Sequence, residues 1–152
     1  MRFRRFFATA LATMVAGALA VIAVPQPAAA DGPVYVALLW VRCQDDTGEW
    51  GADEILLEIG GNPGTPAGIL NSMHVGDTKY VYPAPPGYQP SQEIVGDATW
   101  IWVWERDDPN NRGSWDLQGV IEVRRDLVNT GEHEGYAFWD GQFIVRYTVV
   151  GG

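Results

Sequence analysis

The segment Thr99-Trp100-Ile101-Trp102-Val103-Trp104 constrains the fold more than any other part of the chain. Six consecutive β-branched or aromatic residues describe a strand. Period-2 geometry puts Trp100, Trp102 and Trp104 on one face and Ile101 and Val103 on the other. Both sets are apolar, so either can face a core. With Ile101 and Val103 inside, the three tryptophans form an outer stripe whose flat rings match the C–H faces of sugars, as in a carbohydrate-binding module. In the other arrangement the tryptophans are core, or lie under a loop, as large aromatics in small domains usually do.

The remainder of the chain has the same character. Short β-branched and aromatic runs occupy 34–41, 54–59, 78–82, 99–104, 119–124 and 143–150, with weaker ones near 68–70 and 135–138. Between them stand Gly60-Gly61-Asn62-Pro63-Gly64, Pro83-Ala84-Pro85-Pro86-Gly87 and Asp107-Asp108-Pro109-Asn110-Asn111, all strong turn chemistry. No segment repeats apolar residues at helical spacing. The pattern predicts an all-β domain, a single antiparallel β-sandwich of about eight strands.

The first thirty residues differ from this. Arg2, Arg4 and Arg5 precede an uncharged, Ala-rich run from Phe6 to Val24, then Pro25-Gln26-Pro27 and Ala28-Ala29-Ala30. A positive start, an apolar stretch and a small-residue cleavage pattern read as a signal peptide over 1–30, with the sandwich domain over 31–152 and a secreted, extracellular product. The Arg4-Arg5 pair fits Sec or twin-arginine export. Nine Arg against one Lys, Lys79, hints at a GC-rich bacterial genome. Cys43 is the sole cysteine, so no internal disulfide braces the domain, and the expectation is a buried thiol at a strand end.

Removing the leader sharpens the charge. The whole chain has ten bases against 19 acids, and residues 31–152 keep seven bases and all 19 acids, a net of −12. Such a body repels phosphate backbones, which excludes nucleic acid as a partner, and it repels anionic lipid unless a cation intervenes, so membrane contact is expected only if calcium-dependent. The acids are concentrated. The stretches Arg42 to Glu54 and Trp104 to Gly119 hold nine of the 19 in 29 residues. Carboxylates gathered this way call for a neutraliser, and a hard divalent cation with six to eight oxygen ligands serves. Neither stretch has the ligand spacing of an EF-hand. In the plainer reading Asp, Asn and Gly simply make turns, with their carboxylates in water.

The same stretches carry a family resemblance. Asp45-Asp46, followed by Ala52-Asp53-Glu54-Ile55-Leu56-Leu57, resembles the first calcium loop of C2 domains. Val103-Trp104-Glu105-Arg106-Asp107, followed by Asp116-Leu117-Gln118-Gly119, is similar to the third, although Glu105 replaces the family's Asp and the loop is longer. The resemblance implies a C2-like sandwich and Ca²⁺ ligands at Asp45 or Asp46, Asp53, Glu105, Asp107 and Asp116, whose side-chain oxygens should converge to within about 5 Å. No basic strand resembling a phosphoinositide site is present. Trp50 and Trp115 lie inside the acidic loops, either presented to a protein, glycan or cell-surface partner or folded back to clamp the loop.

Catalysis finds little support. No Gly-x-Ser-x-Gly, His-Glu-x-x-His or phosphate-binding loop occurs. Glu49 beside Trp50, or Glu105 beside Trp104, could place a carboxylate against an apolar wall, as hydrolases do, but acids this abundant produce such neighbours by chance. His74 and His133 stand in no recognisable motif, and His133 between Glu132 and Glu134 reads as a solvated turn. The expectation is a non-catalytic binding module, with the carbohydrate-binding module second and a carboxylate hydrolase third.

Overall fold

The computed structural model describes residues 32–45, 53–61, 63–108, 110–139 and 141–152. The expected signal over 1–30, and Asp46 and Trp50, lie outside the described residues. Among the described residues nine strands follow in order: β1 Val34–Asp45, β2 Asp53–Ile59, β3 Thr65–Met73, β4 Thr78–Tyr80, β5 Ser91–Glu93, β6 Ala98–Arg106, β7 Trp115–Arg124, β8 Glu132–Ala137 and β9 Gln142–Gly151. Single 3₁₀ turns at Arg112–Ser114 and Arg125–Leu127 are the helical elements among the described residues, and no described helix is long and apolar enough to cross a membrane.

The strands form two antiparallel sheets. One runs β4-β1-β9-β8, with β5 sharing the β1 edge beside β4; the other runs β3-β2-β6-β7. Alternation builds the core between them. Val34, Val36, Val41 and Cys43 of β1 and Phe143, Val145, Tyr147 and Val149 of β9 face Ile55, Leu57 and Ile59 of β2, Ile101 and Val103 of β6, and Ile121 and Val123 of β7, all buried. Two glycines let the sheets approach at the β7–β8 side. A Cβ on Gly135 would lie 2.3 Å from Ile121 Cγ2, and one on Gly119 would lie 2.7 Å from Ala137 Cβ. The expected sandwich is therefore present.

Every segment read as a strand is one, and the differences lie at the ends. β7 begins at Trp115 rather than at Gly119, because pairing with β6 continues through Trp104↔Leu117, Glu105↔Asp116 and Arg106↔Trp115. Asp53, Glu105 and Asp116, expected as loop residues, are thus paired strand residues, Asp53 at the start of β2 and the other two one residue from the ends of β6 and β7. β5 escaped the sequence reading, since Ser91-Gln92-Glu93 offers no apolar alternation and pairs only along the free edge of β1.

One end of the sandwich concentrates the loops of interest. Asp45 pairs with Gln142, Asp53 with Met73 and Ile55 with Glu105, while Arg42 pairs with Thr78. The connections β1–β2, β3–β4, β6–β7 and β8–β9 therefore all emerge at this end.

Candidate functional site

Strand parity places the carboxylates. Asp53 shares the inner face of β2 with Ile55, Leu57 and Ile59, and Glu105 shares the inner face of β6 with Ile101 and Val103. Asp116 lies opposite Glu105 on β7, hence on the same face. Three neighbouring strands thus each bring one acid to the mouth of the core. Asp53 and Glu105 are almost wholly buried, at 3% and 7% exposure, while Asp116, Asp107 and Asp45 are exposed. Among the described residues, no three His, Cys, Asp or Glu side chains stand together closely enough to hold a metal ion. The strands thus place Asp53, Glu105 and Asp116 on one face at one end without gathering them into a metal-binding group, Asp107 follows β6 by one residue, and Asp45 ends β1. The donor set is all carboxylate oxygen, which suits a hard cation, but an ion would need the loops to close on it.

The outer face of the same strands is organised differently. Trp102 and Trp104 stack at 6.2 Å with their planes 11° apart. Trp102 Nε1 donates to Gly60 O at 2.9 Å, and Trp104 Nε1 donates to Glu58 Oε2 at 3.1 Å. Glu58 is 1% exposed and accepts from Arg112 Nη1 at 2.9 Å and Arg112 Nη2 at 2.8 Å. Arg112 lies over Trp104 and Trp115, 5.5 and 5.0 Å from their ring centroids. Arg106 lies 5.2 Å from Trp115 and 3.3 Å from Glu54 Oε1.

This settles which face of β6 is inside. Ile101 and Val103 are core, and the tryptophans point out, but Trp104 lies half buried under Arg112 of the β6–β7 loop and Trp102 lies half buried against Trp104 with its Nε1 on Gly60 O. Trp100, at 45% exposure, is the most open ring of the stripe. The three rings therefore do not form one open sugar platform. Trp104 and Glu105 point to opposite faces, so Trp104 is not an apolar wall beside that carboxylate, and Glu49 with Trp50 lies outside the described residues. Trp115 is half buried, with Nε1 donating to Asp108 O at 2.9 Å, and so it clamps its loop.

Within that loop one acid and one amide side chain hold the backbone. Asp108 Oδ1 accepts from Asn110 N at 2.9 Å, and Asn111 Oδ1 accepts from Gly113 N at 3.1 Å, so both shape the turn. Cys43 is fully buried, its thiol 3.4 Å from Asp45 O. His133 meets Thr130 Oγ1 through Nε2 at 2.9 Å and packs on Tyr147, while His74 is exposed.

Two features were not read from the sequence. A lone acid in Ile55-Leu56-Leu57-Glu58-Ile59 was the available sign of a buried charge needing a partner, but nothing marked Arg112 as that partner. Phe138 and Trp139, 65% and 68% exposed, form the β8–β9 turn at the acidic end. Trp139 N donates to Gln118 O and Gly141 N to Gln118 Oε1, which ties that turn to β7. A cleft of ≈ 250 Å³ opens beside Phe138, lined by Gln44, Tyr136 and Gln142 among others.

No protein-family model and no curated protein matches this sequence. Among solved structures, one described as the structure of a C2 domain is similar over 78% of this chain and 97% of its own, with 14% identity and a TM-score of 0.46. The likeness concerns the course of the chain alone, and the case for a site rests on the side chains of the acidic end.

Proposed function

We propose that this chain is a secreted, non-catalytic β-sandwich module that binds Ca²⁺ at its acidic end and there meets a protein, glycan or cell-surface partner. One observation carries the reading: three adjacent strands deliver Asp53, Glu105 and Asp116 to one face, while the arginines nearest in sequence, Arg106 and Arg112, are engaged by Glu54 and Glu58 on the opposite face. Asp45 and Asp107, together with Asp46 as read from the sequence alone, would complete the ion's shell. Affinity belongs in the weak extracellular range, about 10⁻⁴–10⁻³ M, because the loops must close on the ion. The rings best placed among the described residues to touch a partner are Phe138 and Trp139; Trp50 is proposed from its place in the sequence alone, and Trp115 serves its own loop.

Thermal unfolding tests this directly. Ca²⁺ at about ten times its dissociation constant stabilises the folded state by about 1.4 kcal/mol, which raises the melting temperature by about 5 °C over the value in EDTA. Identical melts in EDTA and in Ca²⁺ would contradict the reading.

A further inference from the structure

We infer that Arg112 and Glu58 are positioning residues, a clamp that holds the β6–β7 acidic loop against β2. The inference deepens the calcium reading and rests on it for its functional meaning. Glu58 belongs to β2, five residues after Asp53, and Arg112 belongs to the loop, four residues before Asp116 and five after Asp107. The contact therefore joins the two chain segments whose carboxylates must share one ion.

The geometry fits a fixed joint rather than a surface ion pair. Both guanidinium arms engage both oxygens of a carboxylate that is 1% exposed, at 2.9 and 2.8 Å, and Trp104 Nε1 adds a third donor at 3.1 Å. A planar fork on a carboxylate sets direction as well as distance. Arg112 is also stacked between Trp104 and Trp115, and it opens a 3₁₀ turn capped by Asn111. Three residues later that turn becomes the first residue of β7. Fixing Arg112 therefore fixes where β7 starts, and with it Asp116. The clamp also commits a positive charge to the outer face, in a loop whose acids would otherwise attract it. A loop ordered before the ion arrives loses less freedom on binding.

The experiment compares the unaltered chain with Glu58→Met/Arg112→Met, which removes both charges while keeping apolar volume, and with Arg112→Lys, which keeps the charge and loses the fork. Amide hydrogen exchange is followed in EDTA, and Ca²⁺ binding by calorimetry. In the double variant the sheets should remain protected, amides of 107–116 should exchange about tenfold faster or more, and Ca²⁺ should bind about tenfold more weakly. Arg112→Lys should fall between, with the fold intact. Unchanged loop exchange and unchanged affinity in both variants would overturn the clamp. Faster loop exchange in a chain that binds no Ca²⁺ in any form would uphold the clamp as a loop device and refute the calcium reading.

Discussion

On the outer face of the β3-β2-β6-β7 sheet, Glu54 meets Arg106 and Glu58 meets Arg112, and Trp104 and Trp115 pack against these guanidiniums. On the inner face of the same strands, at the same end, Glu105 lies opposite Asp116, and Asp53 stands two residues before Ile55, the partner of Glu105. One residue of sequence separates the two situations, since Asp53 precedes Glu54 and Glu105 precedes Arg106. Alternation along the strands sorts acids and bases to opposite sides. Taking a carboxylate out of water is costly unless a partner repays the lost hydration. The outer face supplies that partner from the chain itself. The inner face gathers three acids at strand ends, and that grouping is what the proposed Ca²⁺ would meet.

Breaking the outer pairing should have the largest effect on stability. Arg112→Ala leaves Glu58 buried with Trp104 as its remaining side-chain donor. The expected loss is about 3 kcal/mol, at the lower end for a broken buried pair because the Arg112 side chain is itself 43% exposed. Chemical denaturation measures it, and the Met/Met double variant should return to within about 1 kcal/mol of the parent. A silent Arg112→Ala would erase the contrast between the faces.

Neutralising the inner face should act on binding instead. Asp53→Asn, Glu105→Gln and Asp116→Asn are each expected to weaken Ca²⁺ about tenfold or more, equivalent to about 1.4 kcal/mol, in a calorimetric titration. Asp108→Asn, at a residue whose oxygens accept from Asn110 and Trp115 within the turn, should change affinity far less. Equal losses at all four positions would mean that total charge, not placement, governs binding.

The smallest expected effect concerns an inner-face group that is buried in its neutral form. Burial holds the Tyr147 phenol above its ordinary range. The unfolded chain ionises at about pH 10 while the folded one does not, so the stabilising preference is intact below that pH and is lost as pH rises through the folded value. Tyr147→Phe should flatten the alkaline decline in melting temperature. An unchanged decline would place its cause elsewhere.

The sandwich was legible because alternation is local. Runs such as Ile55-Leu56-Leu57 and Trp100-Ile101-Trp102-Val103 state their own conformation, and Gly- and Pro-rich turns separate them. Which face of β6 points inward was not legible, because both of its sets are apolar and the outer one is covered by partners distant in sequence, Gly60 at Trp102 and Arg112 at Trp104. The acid positions could be named from the sequence, whereas their sorting depended on register: Glu105 lies opposite Asp116 only because β7 begins four residues earlier than its apolar pattern suggests. The Glu58–Arg112 contact spans 54 residues, and no local rule reaches that far. Phe138 and Trp139 were passed over because a strand ending in Phe-Trp-Asp-Gly looks the same whether its rings fold in or stand in solvent.

Calorimetric titration of Ca²⁺ into the protein bears most directly on the central claim. The account predicts saturable binding with a dissociation constant of about 10⁻⁴–10⁻³ M, lost in the Asp53→Asn/Glu105→Gln/Asp116→Asn triple variant while that variant keeps its β-sheet spectrum. An absence of binding heat at concentrations about tenfold above that range, or binding that the triple variant retains in full, would contradict it.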